Sequence, residues 1–432
     1  MKSCGWRLLL KSFAILICGI ILGFLLLLAV YSLPIAPMAK NVKASIPALN
    51  GEWASEGPNE QLVPGYLTTQ LDNSTDAAMM LHAVHESEQT LTMRAVQGSR
   101  YISEGSAFHT LQMYGEVGSE GLESFPVSRY WHGYLLFLKP LLMVFSYMDI
   151  RMLLTIVQGC MMTGVIAGLC RRRLGRLTPC FILSLLCITP MAAGFSLQYS
   201  TAFCTLLGAM LLLLYLPPSR FDGNRLSIFF LLVGMFTSFV DYLTYPVATF
   251  GMPFVLCVFL FPANKVADEW KRFIACGLCW ALGYFGMWAG KWILAGIFGR
   301  EPWFWANLLA KISERSSDVT GQVRISYFDV LKAVLSIFVK RVYLMVGVVA
   351  VVGWIAMVIR GRCKGYSMPS AAPGKWSVLA CVALLPFAWF FCTQNHTYNH
   401  AYFTARTVAV SAFAATALLT CLTPMADERL AK

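Results

Sequence analysis

Residues Ser12–Ala39, SFAILICGIILGFLLLLAVYSLPIAPMA, form an uncharged and mostly apolar run that decides the fold class. The apolar core of a secretory signal has only about 7–15 residues, whereas about 20 apolar residues already cross a bilayer as a helix. Lys2, Arg7 and Lys11 precede the run, and basic residues hold the adjacent helix end in the cytoplasm. We therefore predict a retained first transmembrane helix, over about residues 8–33, that begins in the cytoplasm.

The rest of the chain has the composition of a membrane protein. Hydrophobic residues make up 57% and charged residues 13% of it, whereas average soluble domains carry about 25% charged residues. One soluble core of 432 residues could not bury that much apolar surface, so lipid must cover a large part of it. The net charge of +12 arises from short basic clusters between apolar runs, a pattern that orients helices and argues against a nucleic-acid partner. The sequence predicts an all-α, polytopic helical bundle in the lipid bilayer.

One ambiguous stretch, Trp131–Met148, determines the predicted topology. If it crossed the bilayer, the cluster Arg171-Arg172-Arg173-Leu-Gly-Arg176 would lie outside, against the positive-inside rule. We therefore place it along the membrane interface, where Lys139-Pro140 near its middle is also tolerated. The prediction is then a multi-pass plasma-membrane protein with about ten transmembrane helices and both termini in the cytoplasm, Arg429 and Lys432 included. After the first, the predicted helices occupy about residues 152–170, 180–195, 201–216, 226–240, 246–261, 273–298, 342–359, 376–392 and 407–422.

The predicted organisation has five parts. They are the first helix in residues 1–35, an outer loop with interfacial helices in 36–150, helices 2–7 in 151–298, a second outer segment in 299–340, and helices 8–10 with a cytoplasmic tail in 341–432. Residues 328–340 of the second outer segment form an amphipathic pattern. No internal repeat is visible, which argues against an inverted-repeat transporter.

The cysteine pattern predicts neither disulfides nor a metal site. The 14 Cys lie in apolar runs or beside basic clusters, and none lies in residues 40–152, which contain most of the predicted outer loop. Cys276 and Cys279 form the one close pair, and in an apolar helix they are expected to pack. We predict no metal, and the sequence does not identify another cofactor.

All histidines fall in predicted outer segments, as an active site at the outer membrane face would require. They are His82, His85, His109, His132, His396 and His400. Loops are also where polar residues belong in any case. The absence of His from every predicted inner loop supports the functional interpretation.

The first candidate motif is Asp72-Asn-Ser-Thr-Asp76, in the first outer loop. Carboxylates four residues apart share one face of a helix, an arrangement that suits a general base or a metal clamp. One of the two could instead cap a helix that begins near Ala77. The motif also matches the N-glycosylation pattern, as does Asn395-His-Thr397.

The second candidate motif is Gln394-Asn-His396-Thr-Tyr-Asn-His400-Ala-Tyr-Phe-Thr-Ala-Arg406. On a helix, His396 and His400 would share a face, and imidazoles can transfer protons. Arg406 would enter the outer end of helix 10, where a guanidinium suits bidentate contact with phosphate.

Asp241 lies between two apolar helices, where a charged carboxylate is energetically costly. We therefore expect Asp241 to be functional or to reach interfacial water.

A third group consists of outer cations that depart locally from the positive-inside rule. An anionic ligand such as a lipid phosphate would compensate them, whereas Lys139 and Lys291 could instead extend to the interface. The group comprises Arg129 beside His132, Arg151, Lys291, Arg300, Lys311, Arg315 and Arg324.

The layout of these segments resembles the GT-C superfamily of membrane glycosyltransferases. The resemblance covers most of the chain: one helix, a long outer loop with acidic residues, an interfacial helix, then Arg151 opening a helix that ends in Arg171-Arg172-Arg173-Leu-Gly. The segment Asn395-His-x-x-x-His400-x-x-Phe-Thr-x-Arg406 also resembles uncharacterised bacterial membrane proteins. The chain departs from the commonest pattern because its first loop has no adjacent Asp-Glu pair and no soluble domain follows helix 10.

The resemblance implies a function in the cell envelope. A sugar would pass from a polyprenyl-phosphate donor to a glycan, lipid or protein acceptor on the non-cytoplasmic face. The catalytic carboxylate would be Asp72 or Asp76, supported by His396 and His400. Arg406, Arg129, His132 and Lys291 would hold the donor phosphate, with Asp241 and Asn395 in support. Two other functions remain open: a transporter or flippase for a polysaccharide or lipid-linked precursor, and an assembly subunit without chemistry.

Overall fold

The computed structural model describes residues 2–50, 60–299, 301–366 and 373–424. Three cations of the sequence-based interpretation, Arg300, Arg429 and Lys432, lie outside these residues, as do positions 51–59 of the predicted outer loop.

Helices dominate the described residues. In chain order the α-helices and strands are α1 Lys2–Tyr31, α2 Ile35–Asn50, α3 Asn73–Ala83, α4 Leu91–Gln97, β1 Arg100–Ile102, α5 Ala107–Val117, β2 Glu123–Phe125, α6 Leu135–Leu142, α7 Tyr147–Arg171, α8 Thr178–Ile188, α9 Pro190–Gly194, α10 Leu197–Tyr215, α11 Arg225–Val240, α12 Ala248–Leu260, α13 Val266–Phe298, α14 Phe304–Ser316, β3 Val319–Thr320, β4 Val323–Arg324, α15 Tyr327–Ser336, α16 Arg341–Cys363, α17 Pro373–Cys392, α18 Gln394–Asn399, α19 Ala401–Thr404 and α20 Val408–Cys421. Short 3-10 turns occupy Leu67–Thr69, Gly175–Leu177, Pro218–Phe221 and Ala405–Thr407. The strands in the described part of the chain form two small antiparallel hairpins, β1–β2 and β3–β4.

Seven helical segments of the described chain are long and apolar enough to cross a membrane. They are Trp6–Tyr31, Tyr147–Arg171, Leu197–Tyr215, Val266–Phe298, Arg341–Cys363, Gly374–Cys392 and Ala401–Cys421. Three shorter apolar segments, Gly175–Ile188, Arg225–Val240 and Ala248–Leu260, accompany them. The described residues are therefore all-α apart from two small hairpins, and the seven long apolar helices support a membrane protein, whereas the predicted count of about ten spans is not confirmed.

The C-terminal end of α13 and the N-terminal ends of α7 and α10 lie at one side of the bundle. The C-terminal part of α13 contacts α4, where Lys291 Nζ donates to the carbonyls of Ala95 and Val96. The N-terminal ends of α7 and α10 contact α3, because Tyr147 and Leu197 both donate to Asp76. We call the residues gathered there, 35–50, 60–146, 301–340 and 393–400, the polar cap.

The opposite side of the bundle carries the basic clusters. Glu269, fully buried, pairs there with Arg272, and Trp270 Nε1 donates to Ser377 Oγ of α17 at 3.0 Å. Arg172 at the end of α7 donates to the carbonyl of Leu214 in α10 at 2.7 Å. These contacts place the N-terminus of α13 beside that of α17, and the C-terminus of α7 beside that of α10.

Residues 131–146, which precede α7, do not cross the bundle. Their helix α6 has 8 residues, whereas a span needs about 20. His132 precedes it in a left-handed conformation, with a φ of 55°. The next residue, Gly133, donates from its backbone to the Phe239 carbonyl at 2.9 Å, and a side chain at Gly133 would overlap Phe239. This contact fixes the polar cap against the end of α11.

Candidate functional site

Asp76 caps a helix other than its own. Its carboxylate accepts hydrogen bonds from the backbone of Leu197 at 2.8 Å and of Gln198 at 3.1 Å, in the first turn of α10. Ser196 Oγ and the Tyr147 hydroxyl also donate to it. A carboxylate at a helix N-terminus satisfies free N–H groups and interacts favourably with the helix dipole.

Burial also affects the ionisation of Asp76. The side chain is only 1% exposed, and burial raises its pKa to about 6 against the lowering effects of Tyr147 and Arg151. With four donors already in place, Asp76 joins α3 to α7 and α10 and leaves little capacity for a reactant.

Asp72 sits at the start of α3 and has a different environment. Its carboxylate caps the helix by accepting from Thr75 N at 3.0 Å, and Thr75 Oγ1 donates to it at 2.9 Å. The Tyr402 hydroxyl donates to the same carboxylate at 3.2 Å. Asp72 is therefore a helix cap, as one interpretation of the sequence predicted. The contact with Tyr402 also brings Asp72 beside the second candidate motif.

The two histidines of that motif lie together. Helix α18 ends at Asn399, yet the ring centroids of His396 and His400 are 4.9 Å apart. His400 is half-buried; burial lowers its pKa, while the Asp72 charge raises it. His396 Nε2 lies 3.0 Å from the carbonyl of Leu243, and burial lowers its pKa to about 3. We call Asp72, His396, His400, Tyr402 and Arg315 the Asp72 cluster, because the Arg315 charge also acts on both histidines.

Asp241 supports this cluster indirectly, because its carboxylate holds the loop that contacts His396. Its carboxylate accepts from Thr244 N at 3.0 Å and from the Thr244 hydroxyl, closing a tight loop after α11. Burial raises its pKa to about 6. The loop presents the Leu243 carbonyl to His396, so Asp241 contributes indirectly by holding that loop.

Arg406 is fully buried, and each of its three guanidinium nitrogens donates one hydrogen bond to a backbone carbonyl. It donates to the carbonyls of Ile188 at 3.0 Å, Tyr402 at 2.6 Å and Thr68 at 2.7 Å. Its guanidinium carbon lies 3.9 Å from the centroid of the Tyr199 ring. In this arrangement Arg406 joins the end of α20 to α8 and the polar cap, beside the Asp72 cluster.

Arg129, His132 and Lys291 lie in a second cluster, where the polar cap meets the C-terminal part of α13. Burial lowers the pKa of His132 to about 3, with further lowering by Lys291, Arg100 and Arg129. The Tyr242 hydroxyl lies 2.9 Å from His132 Nδ1 and 3.4 Å from His82 Nε2. The rings of His82 and His132 have centroids 4.4 Å apart. Both histidines are therefore neutral at pH 7 and face several cations.

Two of these cations carry buried, unpaired nitrogens. Within the described residues, Arg100 Nη1 and Arg129 Nε have no hydrogen-bond partner. Arg100 was not among the predicted site residues, although an excess of cations on the predicted outer side was visible in the sequence. Lys291 is better satisfied, since it donates to Val96 O at 2.5 Å.

The same cluster continues to Lys139 and Arg94 over the ring of Tyr31. Their charged groups lie 4.9 Å and 6.0 Å from the ring centroid. Burial, with the Arg94 charge, lowers the pKa of Lys139 to about 8. We call Arg94, Arg100, Arg129, Lys139 and Lys291 the cationic cluster.

Aromatic residues connect the two clusters. Tyr130 and Tyr242 have ring centroids 4.9 Å apart, and Tyr242 lies 5.4 Å from Tyr134. The Arg315 guanidinium donates to the Tyr130 hydroxyl. The Asp72 cluster and the cationic cluster are therefore neighbours at one end of the bundle.

Asn395 has a positioning role. Its side-chain amide donates to the Val319 carbonyl and to Thr320 Oγ1, at 2.9 Å from the latter, and so fixes α18 to the β3–β4 hairpin. Across the described ranges, no group of three or more His, Cys, Asp or Glu side chains could hold a metal ion.

Comparisons with protein-family models, with curated proteins and with solved structures find no match to this chain.

Proposed function

We propose that the chain is an integral membrane glycosyltransferase that transfers a sugar from a polyprenyl-phosphate donor to an acceptor on the non-cytoplasmic face. The observation that carries the proposal is the position of the Asp72 cluster beside the cationic cluster at one end of an apolar bundle. A reaction that activates a hydroxyl and releases a phosphate needs these two kinds of group close together.

The proposed topology has ten transmembrane helices, the three shorter apolar helices included. The polar cap faces away from the cytoplasm, and both termini lie in the cytoplasm of the plasma membrane. The basic residues at the opposite end, Arg172 and Arg272 among them, support this orientation through the positive-inside rule. A reporter that fluoresces only in the cytoplasm, fused after Lys432, tests it.

In the proposed reaction, an acceptor hydroxyl attacks the anomeric carbon of the sugar. The bond between that carbon and the phosphate oxygen breaks, and the phosphate leaves with the electron pair. Asp72 takes the proton of the acceptor hydroxyl, while His400 beside it and the cationic cluster stabilise the developing charges. The four donors on Asp76 favour Asp72 over Asp76 as the base.

Asp72→Asn tests this role with little risk to folding. Asn caps helices about as well as Asp, so the variant removes the charge and keeps the cap. We expect sugar transfer to fall by about 10²–10⁴-fold, the usual contribution of a general base. The assay follows a labelled sugar from a panel of polyprenyl-phosphate hexoses and pentoses into the envelope fraction of membranes that contain the protein.

The control is Glu120→Gln, on an exposed side chain of the polar cap, which should leave transfer unchanged. Full activity of Asp72→Asn with every donor that the wild type accepts would exclude Asp72 as the base. Absence of transfer from every donor by the wild type would overturn the enzyme proposal itself.

The transporter alternative has less support. In the seven candidate spans, the charged side chains lie within roughly two turns of a helix end, whereas transporters place essential charges near the bilayer midplane.

A further inference from the structure

Lys139 is a buried cation without a hydrogen-bond partner. The side chain is 0% exposed, and its Nζ has no donor or acceptor contact within the described residues. Its Nζ lies 4.9 Å from the centroid of the Tyr31 ring, and the Arg94 guanidinium carbon lies 6.0 Å from the same centroid. The Tyr31 hydroxyl is also buried without a partner.

No carboxylate compensates this pair of cations. Among the described residues, neither Lys139 nor Arg94 forms an ion pair with Asp or Glu. A buried charge without a partner is destabilising, and a second cation close by adds repulsion. An anion placed between Lys139, Arg94 and the Tyr31 hydroxyl would relieve both costs.

An apolar groove lies beside this site. It has a volume of about 770 Å³ and runs along α1, against α6, α11 and α13. Its lining includes Ala14, Cys18 and Leu22 of α1, with Leu136 and Phe137 of α6. Along α1 the lining extends from Lys11 to Leu26, which corresponds to about 22 Å of helix.

The cation pair lies at one end of the groove. Leu136 lines the groove, and Lys139 is one turn further along the same helix. Tyr31, under both cations, follows Leu26 by little more than one turn of α1. A ligand with a phosphate at Lys139 could therefore place its apolar chain in the groove.

We propose that this groove and the Lys139–Arg94 pair bind a polyprenyl phosphate, with the chain along α1 and the phosphate between the two cations. The length of the groove favours this occupant over a glycerophospholipid. An acyl chain ends near the bilayer midplane, about 15 Å from the interface, whereas the groove extends further along a hydrocarbon core of about 30 Å. An isoprenoid chain can continue past the midplane.

This inference deepens the proposed function and rests on it for the identity of the lipid as the sugar carrier. It assigns the donor phosphate to Lys139 and Arg94 instead of Arg406, because each guanidinium nitrogen of Arg406 already donates to a carbonyl. The aromatic rings from Tyr134 through Tyr242 to Tyr130 then lead from the phosphate towards the Asp72 cluster.

The test measures binding of three lipids to the purified full-length protein in detergent. They are a polyprenyl phosphate, the same polyprenol without phosphate, and phosphatidylglycerol. We expect the wild type to bind the polyprenyl phosphate at least tenfold more tightly than either of the others. In Lys139→Met this preference over the polyprenol should fall to less than threefold.

Two further variants distinguish the contribution of the isoprenoid chain to binding from that of the phosphate. Cys18→Phe narrows the groove and should weaken the binding of polyprenyl phosphate and polyprenol alike. Ile21→Phe adds the same ring at an exposed α1 position outside the lining, and should change neither. Lys332→Met, which removes an exposed cation of the polar cap, is the control for charge.

The proposal is overturned if the wild type binds polyprenol as tightly as polyprenyl phosphate, or if Lys139→Met retains the full preference. Equal binding of phosphatidylglycerol would identify an ordinary phospholipid site and also overturn it. If Lys139→Met does not fold, Arg94→Gln, at a half-buried position, gives the same comparison. Asp72→Asn should retain lipid binding and lose transfer, so failure of this site and failure of the proposed function give different results.

Discussion

At the scale of single residues, Asp72 and Asp76 show how two similar side chains acquire different roles. The spacing of four residues predicts one shared face, yet the two carboxylates bind different parts of the molecule. Asp72 contacts Tyr402 of α19, whereas Asp76 contacts the first turn of α10. The difference arises from what packs against each side chain, because Asp72 caps the N-terminus of α3 and Asp76 lies in the first turn of the same helix.

Asp76→Asn is expected to destabilise the protein. Leu197 N and Gln198 N donate to different oxygens of Asp76, so the NH₂ group of an Asn side chain would face one of these two backbone donors and leave it unsatisfied. Leaving a buried donor unsatisfied costs about 1–3 kcal/mol. Thermal unfolding of the detergent-solubilised protein, followed by tryptophan fluorescence, should show a lower midpoint than in Asp72→Asn. Equal midpoints for the two variants would show that Asp76 does not hold the helices together.

At the scale of elements, α11 and α13 pack with their backbones in close approach. A side chain at Gly234 would overlap the carbonyl of Trp280, and one at Gly283 would overlap the carbonyl of Leu231. Small residues allow such backbone approach between helices in lipid, where van der Waals contact drives association. This contact fixes α13, and with it Lys291, relative to the loop that holds His396.

Gly283→Ala should therefore separate α11 from α13 and destabilise the bundle by about 1–3 kcal/mol, the usual cost of overpacking. Gly277→Ala is the matched control in the same helix, because a β-carbon there would lie an ordinary 3.5 Å from the Phe250 ring. The measurement is the unfolding midpoint of each variant in detergent. A midpoint for Gly283→Ala as high as that of Gly277→Ala would contradict the proposed close contact.

At the scale of the whole molecule, the polar cap buries histidines in their neutral form. Burial lowers the pKa of His132 and His396 to about 3 and of His85 to about 4, and it lowers that of His82 well below the usual value. In the unfolded chain these groups take up protons near pH 6.5. Below that pH the unfolded state binds more protons, so acidification reduces stability by up to about 1.4 kcal/mol per pH unit for each histidine.

Two buried carboxylates act in the opposite direction. The pKa values of Asp76 and Asp241 are raised to about 6, so between about pH 6 and 4 the folded state takes up their protons first. The destabilisation that the four histidines cause on acidification exceeds the stabilisation from the two carboxylates. We therefore expect a net loss of stability from pH 6.5 to 4.

His132→Asn tests this balance. Asn tolerates the left-handed backbone that His132 adopts and does not titrate. The unfolding midpoint of the variant should fall less steeply between pH 6.5 and 5 than that of the wild type. An unchanged slope would show that His132 is already accessible to protons in the folded protein.

The apolar runs and basic clusters alone determined the fold class, because lipid exposure requires long apolar helices whatever their partners. They also indicated that Trp131–Met148 does not cross the bundle, and helix α6 is indeed too short to do so. The clustering of polar residues in the loops was visible for the same reason.

Only the tertiary structure decided which of these polar residues meet. Asp72 and Tyr402 lie 330 positions apart in the chain and are joined by a hydrogen bond, and no local pattern records such a pairing. Arg406 could be recognised as a phosphate-compatible cation, but the carbonyls of Ile188 and Thr68 that occupy it come from other elements. Lys139 is unpaired because the packing of α1, α4 and α6 places Tyr31 and Arg94 near it and no carboxylate. Sequence patterns report the solvent that each segment prefers, whereas the chemistry of a site depends on contacts between segments that are distant along the chain.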